Sequence, residues 1–126
     1  MSGRKLLLDS NIVIYIAKKA LSPEVFIKAD DALYLSDVSF METLGYAFSD
    51  ENEKKAIETL LSVLFRLPID EKVILKVISI RQTRKMKLPD AIIAATALIH
   101  DCMLITRNIS DFSGLPGLVF LDPLDL

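Results

Sequence analysis

Short apolar runs alternate with longer segments that have helical spacing of apolar residues, and this alternation constrains the fold more than any other feature. Runs of this length are typical of buried strands. Two neighbouring parallel strands need a connection of a dozen or more residues, which is usually a helix. Strands separated by helices are therefore expected to pair in parallel. A parallel sheet is covered by helices on both faces. The sequence therefore predicts an α/β fold with three layers, α/β/α.

Five apolar runs are predicted as strands, and helical patterns lie between them. Pro68 would confine the third strand to a sheet edge, because proline has no N–H for the ladder. The last helix is apolar almost all round and is expected to be central. The predicted strands are Lys5–Leu8, Ala32–Leu35, Arg66–Ile69, Met103–Ile105 and Leu118–Phe120. The predicted helices are Asn11–Lys19, Val38–Phe48, Glu51–Phe65, one capped by Asp70 and running to about Met86, and Ala91–Ile99, which Pro89 and Asp90 open.

Length and composition limit the class of protein. The 126 residues predict one domain, spanning 1–126, and a hydrophobic content of 52% excludes a disordered chain. The formal net charge of −2 provides no overall basic field to attract nucleic acid. Cys102 is the only cysteine, and it is expected in the core of a protein from a reducing compartment. The apolar run Leu6–Leu8 is too short for a signal peptide or a membrane span, so a soluble, cytoplasmic protein with no membrane association is expected.

Two acids belong to the first half of the chain, and each has two interpretations. Asp9 directly follows the first strand, where it could cap the next helix or bind a metal. Glu42 lies three residues after Ser39, which is the spacing of a capping box. Ser36 and Asp37 are strong caps themselves, however, and a helix that begins there puts Glu42 in the second turn. In that case Glu42 has mostly apolar neighbours on the helix and needs a partner, for which a metal is one candidate.

Two further groups of oxygen donors lie in the second half. Asp90 follows Pro89 at the start of the apolar helix. It could interact with the helix dipole there, or it could lie in a cleft, where its carboxylate would need a counter-charge. Thr106, Asn108 and Asp111 follow the fourth strand, in what could also be an ordinary polar loop.

These positions share one edge of the predicted sheet, and their joint pattern favours a metal site. Carboxylates held close together repel and raise one another's pKa, which a divalent cation relieves. A set of oxygen donors suits Mg²⁺ or Mn²⁺ rather than Zn²⁺. His100, the only histidine, is expected to end the apolar helix and not to bind metal.

Four motifs resemble those of the PIN domain, specifically the VapC-like toxin ribonucleases of toxin–antitoxin pairs, over essentially the whole chain. The family resemblance implies a central five-stranded parallel sheet. It also implies that Asp9, Glu42 and Asp90 are the three principal carboxylates and that Asp111 is the fourth, although other members carry this acid where Asn108 stands here. Thr106 would orient a water or a carboxylate, and Asn11 and Asn108 would be auxiliary. The motifs are Leu-Leu-Asp9-Ser-Asn-Ile, Ser-Asp-Val-Ser-Phe-Met-Glu42, Leu-Pro-Asp90-Ala-Ile-Ile-Ala-Ala-Thr-Ala and Leu-Ile-Thr106-Arg-Asn-Ile-Ser-Asp111-Phe.

The resemblance further implies Mg²⁺-dependent hydrolysis of RNA phosphodiester bonds, with Mn²⁺ as a possible substitute. A homodimer and a small antitoxin partner are expected, the antitoxin on a groove formed by Ile12–Ile16 and the apolar stripe of 56–64. RNA phosphates could contact Arg84, Lys85 and Lys87, and more weakly Lys18, Lys19 and Arg107.

Three other classes of protein remain as alternatives. A signalling receiver domain would need an acidic pair after the first strand and a lysine after a late strand, where this chain has Asp-Ser-Asn and Thr-Arg-Asn. A PIN-like module without catalysis could bind RNA or protein, and an RNA-processing enzyme would share the chemistry of a toxin.

Overall fold

A computed structural model of the protein describes residues 3–125, so the first two residues and the last one of the predicted domain lie outside it. It contains a five-stranded, all-parallel sheet between helices, which confirms the predicted α/β/α class. The strands are β1 Lys5–Leu8, β2 Ala32–Ser36, β3 Phe65–Leu67, β4 Met103–Ile105 and β5 Phe120–Leu121. The helices are α1 Ser10–Ala17, α2 Asp37–Leu44, α3 Glu51–Ser62, α4 Glu71–Thr83, α5 Leu88–Ile99 and α6 Ile109–Phe112, with a 3₁₀ turn at Pro23–Val25.

The strand order β3-β2-β1-β4-β5 places β1 between β2 and β4. The chain runs outward from β1 to β3 on one side, then returns to build β4 and β5 on the other. Leu8 at the end of β1 pairs with Ile105 at the end of β4. The topological switch point therefore lies between the carboxyl ends of β1 and β4, where α/β folds commonly bind ligands.

The two faces of the sheet carry separate apolar clusters. Side chains alternate along a strand, so Leu7 packs into one cluster while Leu6 and Leu8 pack into the other. The first cluster includes buried residues of α4 and α5, and the second includes Ile12 of α1, with Leu60 of α3 packed against it. Cys102 is buried, as predicted.

Several predicted helices are longer than the observed ones. α1 ends at Ala17, two residues before Lys19, which adopts a left-handed conformation with φ of 61°. α2 stops at Leu44 instead of Phe48, because Gly45 disfavours continuation of the helix. α4 ends at Thr83, short of Met86, because the next residue, Arg84, is extended with φ of −155°.

The strand boundaries also shift by one or two residues. α3 ends at Ser62 rather than Phe65, because Phe65 pairs with Tyr34 as the first residue of β3. β3 stops at Leu67, before Pro68, and lies at the sheet edge as predicted. β5 comprises Phe120–Leu121 instead of 118–120, and the short helix α6 lies in a segment predicted only as a loop.

Within residues 3–125, no helix has the length and apolar character needed to cross a membrane.

Candidate active site at the carboxyl edge of the sheet

A hydrogen bond between Asp9 and Thr106 bridges the switch point. Asp9 directly follows β1 and is only 8% exposed, while Thr106 follows β4 and is fully buried. The Thr106 hydroxyl donates to Asp9 Oδ2 at 2.7 Å, and the Ser10 amide donates to Asp9 Oδ1 at 2.8 Å. Asp9 is thus the N-cap of α1 and also part of a buried polar contact between two strands.

Burial raises the pKa of the Asp9 carboxyl above its usual value, and the charge of Glu42 raises it further. The hydrogen bonds from Thr106 and Ser10 act in the opposite direction but do not compensate fully. No positively charged side chain of the described chain is among the groups that shift the pKa of Asp9. A bound cation would therefore stabilise its ionised form.

Glu42 lies on α2 with its side chain exposed, rather than enclosed by apolar neighbours as its helical surroundings suggested. Ser36 caps the helix by accepting from the Ser39 amide at 3.2 Å, so the earlier of the two predicted starts is correct. The Ser10 hydroxyl donates to Glu42 Oε1 at 2.5 Å. Ser10 thereby connects Glu42 to the end of β1, beside Asp9.

Asp90 is half-buried in the first turn of α5. Burial raises its pKa, the charges of Asp111, Asp9 and Glu42 add to the rise, and Lys87 opposes it. Three acids from three other segments therefore act on Asp90 through space. The structure brings all four sequence-predicted carboxylates into one electrostatic neighbourhood.

A chain of hydrogen bonds links Asp111 to Asp9. Asn108 Nδ2 donates to Asp111 Oδ2 at 2.7 Å, and the Asn108 amide donates to Thr106 Oγ1 at 2.9 Å. Thr106 in turn donates to Asp9. Asn108 is thus the bridge between the exposed Asp111 and the buried pair, whereas Asn11 lies exposed in the first turn of α1.

The oxygen donors gathered here suit a hard divalent cation. They are carboxylates, held by hydrogen bonds from hydroxyl and amide groups. His100 lies at the opposite end of α5 from Asp90 and is not part of this group. Among residues 3–125, no three His, Cys, Asp or Glu side chains are arranged so that they could by themselves hold a metal ion. Mg²⁺ does not require such a cage, because it keeps several waters and commonly takes one or two carboxylates together with substrate phosphates.

Basic side chains border the acids. A pocket of about 360 Å³ is lined by Arg84, Lys85, Lys87, Asp90 and Asp111. Both lysines are exposed. Of the weaker sequence candidates, two are engaged elsewhere: Lys18 donates to the Tyr46 hydroxyl at 2.7 Å, and Arg107 pairs with Asp122 at 3.4 Å. Lys19 is exposed at the end of α1.

Arg84 has a contact that the sequence did not indicate. Its Nη1 donates to the carbonyl of Ser113 at 2.9 Å and its Nη2 to that of Asp111 at 3.3 Å. The side chain thus connects the α4–α5 junction to the carboxyl end of α6, close to Asp111. These contacts favour a positioning role for Arg84 over the predicted contact with RNA phosphates.

An Arg84→Ala variant should loosen the segment 109–113. Loss of a net hydrogen-bond contribution of about 1 kcal/mol corresponds to roughly fivefold faster amide exchange there. Hydrogen exchange read by mass spectrometry measures this without RNA or metal. Lys85→Ala is the matched control, because its exposed side chain lies in the same pocket, and it should leave exchange unchanged. Equal exchange in both variants would contradict the positioning role.

The comparisons with known proteins agree with this fold. The model of the PIN domain family matches residues 6–117. A chain of a toxin–antitoxin complex from Klebsiella pneumoniae is 35% identical, with a TM-score of 0.73, over 94% of this chain and 97% of that one. A chain of VapBC-1 from nontypeable Haemophilus influenzae is 26% identical, with a TM-score of 0.75, over 95% and 98%.

A chain of DNA-bound VapBC from Salmonella typhimurium shares the fold, with a TM-score of 0.77 at 22% identity over 95% of this chain and 98% of that one. No curated protein sequence gives a significant match. A family model that spans nearly the whole chain and a 35% identical structure that covers 94% of it establish that this chain belongs to the PIN-domain family.

Proposed function

We propose that this protein is a metal-dependent endoribonuclease and the toxin of a toxin–antitoxin pair. The nuclease activity is supported by the convergence of Asp9, Glu42, Asp90 and Asp111 at the switch point, where burial raises the pKa of Asp90 and the charges of the other three acids add to the rise. A bound cation would counteract the raised pKa values of Asp90 and Asp9. The toxin role is supported by similarity to the Klebsiella pneumoniae toxin–antitoxin complex.

In this proposal the four acids surround Mg²⁺, which one or two of them bind directly, with Mn²⁺ as an alternative. The bound metal would polarise the scissile phosphate and activate water for attack. The protein's own contribution is to fix the acids before substrate arrives. Thr106 holds Asp9, Ser10 holds Glu42 and Asn108 holds Asp111, each by a hydrogen bond of 2.7 Å or less.

The exposed Lys85 and Lys87 would hold RNA phosphates beside the acids. The overall charge of −2 gives no long-range attraction, so we expect substrate affinity to depend on these local cations and on the metal. Asn11, exposed at the start of α1, would be an auxiliary contact.

The antitoxin would bind beside α1 and α3. The predicted groove needs a correction, because Ile12 and Ile57 are fully buried in the intramolecular core. The partly buried residues Ile16, Leu60 and Leu61 remain as a contact surface on these helices.

The test is cleavage of a mixed RNA pool by the purified chain, with Mg²⁺, with EDTA and with Mg²⁺ restored. Cleavage should require the metal and should vanish in Asp90→Asn, which removes one charge from the cluster. Asp101→Asn is the matched control. Asp101 is exposed beyond the opposite end of α5, and its φ of 55° accommodates asparagine, so this variant should cleave normally.

Cleavage that persists in EDTA, or in Asp90→Asn, would contradict the proposal. Folded protein, free of any inhibitor, that cleaves nothing with Mg²⁺ or Mn²⁺ would also contradict it. That result would favour a non-catalytic binding module.

A further inference from the structure

Arg107 lies between the two residues that connect the acids to one another. Thr106 donates to Asp9, and the Asn108 side chain donates to Asp111. The Asn108 amide also donates to Thr106 Oγ1 at 2.9 Å, which fixes the backbone around Arg107. The Arg107 side chain itself is 46% exposed. A permanent positive charge is therefore held at the rim of the acidic site, in contact with solvent.

Arg107 is directed to a carboxylate outside the acidic cluster. Lys87 is the basic side chain of residues 3–125 that opposes the raised pKa of Asp90, and Arg107 is not among the groups that shift it. Arg107 Nε lies instead 3.4 Å from Asp122 Oδ1. Lys87 and Arg107 therefore provide positive charge at two separate places around the acids.

Asp122 is a well-fixed partner for this arginine. It directly follows β5, which pairs with β4, and the Thr106 amide donates to the Leu121 carbonyl at 3.0 Å. The Asp122 side chain is only 14% exposed, and its Oδ1 also accepts from the Leu124 amide at 3.0 Å. A carboxylate held in this way restricts the rotamers of the longer, more exposed arginine side chain.

The ion pair leaves most of the guanidinium available for another ligand. Nε is the atom closest to Asp122, and the two Nη groups of Arg107 form no hydrogen bond with residues 3–125. A guanidinium matches the paired oxygens of a phosphate group. RNA that reaches the acids brings such a group with every nucleotide. Because Arg107 is ordered before RNA arrives, binding costs less side-chain entropy.

We propose that Arg107 binds a phosphate of the RNA and that Asp122 is the positioning residue for this contact. The contact rests on the proposed ribonuclease function and extends it. It adds a cation near the end of β5 to Lys85 and Lys87, which line the pocket beside Asp90. Arg107 thereby contributes to substrate affinity, while the acids carry the chemistry.

RNA binding, measured apart from cleavage, tests the contact. Fluorescence anisotropy would use short, labelled single-stranded RNA and an Asp90→Asn background with Mg²⁺. Arg107→Ala should weaken binding about tenfold and lower the slope of log affinity against log salt by about 0.7, the value for one phosphate on a single strand. Arg107→Lys should keep the slope and bind less tightly than the parent, because it retains the charge without the fork. Lys28→Ala is the matched control, because Lys28 is exposed just before β2 at the opposite edge of the sheet.

Asp122→Asn tests the positioning role by the sign of its effect. Loss of a negative charge by itself favours RNA binding, so an Asp122 that is merely nearby predicts tighter binding. A positioning role predicts binding about twofold to fivefold weaker, because the ion pair with Arg107 is lost. In the Arg107→Ala variant, Asp122→Asn should no longer weaken binding, because Asp122 acts through Arg107. Asp125→Asn is the matched control, since Asp125 is exposed in the same segment, and it should not weaken binding.

Cleavage kinetics complete the test. Arg107→Ala should raise KM and leave kcat within about twofold of the parent, whereas damage to the acids would lower kcat. Unchanged binding and salt slope in Arg107→Ala, or tighter binding in Asp122→Asn, would overturn this contact and leave the ribonuclease in place. A folded parent chain that neither binds nor cleaves RNA would overturn the proposed function and this contact with it.

Discussion

Asp9→Asn is expected to lower RNA cleavage by about a thousandfold or more and, without divalent metal, to make the protein more resistant to heat. The loss of activity follows from the removal of a carboxylate proposed to hold the metal. The gain in stability follows from burial, because the Asp9 charge is only 8% exposed and lacks a compensating cation. Asparagine keeps the shape and can still accept from the Ser10 amide.

The pKa shift of Asp9 fixes the direction of the effect of pH. Its pKa is raised in the folded state, so the folded chain binds the proton more tightly than the unfolded chain does. The associated stability is complete below the unfolded pKa and is lost as the pH rises through the folded pKa. Metal-free parent protein should therefore lose stability relative to Asp9→Asn as the pH rises above the usual pKa range of an aspartate.

Thermal melts with and without Mg²⁺ complete the test. Metal that binds only the folded state should raise the melting temperature of the parent chain and raise that of Asp9→Asn much less. Asp101→Asn should behave as the parent does. If Asp9→Asn cleaves RNA normally, or if Mg²⁺ stabilises it as much as the parent, the assignment of Asp9 to the metal site is wrong.

Phe112→Ala is expected to reduce the free energy of unfolding by about 3–5 kcal/mol. Phe112 is 1% exposed and packs in the core cluster of α4 and α5. Replacement by alanine removes most of the ring and leaves a cavity that the surrounding helices fill only in part. A loss of this size is a large share of the stability of a typical domain, about 5–15 kcal/mol.

Urea denaturation of metal-free protein measures this loss. Phe112→Leu should cost less, because it keeps most of the apolar volume. Phe65→Ala is a matched control for removal of a phenyl ring from the surface, since Phe65 is 66% exposed, and it should cost less than about 1 kcal/mol. Equal losses for Phe112→Ala and Phe65→Ala would contradict the packing described for α6.

Features with a local or periodic signal were predictable from the sequence. Apolar runs located all five strands, and the rule that parallel strands end at one edge predicted that Asp9 and Thr106 would lie close together. The ends of the helices were less predictable, because a single residue such as Gly45 or Arg84 determines them through its backbone conformation.

Contacts between distant segments left no signal in the sequence. The bond from Ser10 to Glu42 joins residues 32 positions apart, and those of Arg84 join residues 27 and 29 positions apart. Each depends on how two helices or loops pack, and neither propensity nor periodicity reports that. The helix α6 was missed because its four residues are too few to establish a period.

The hydrogen bond between Thr106 and Asp9 spans 97 positions, and this separation has a consequence for protein synthesis. Chains fold from the amino end as they leave the ribosome. A nascent chain contains Asp9, Glu42 and Asp90 before β4 and the Thr106 that follows it have been synthesised. The hydrogen bond that holds Asp9 therefore forms only after β4 has paired with β1, so the acids are made first and are fixed in place last.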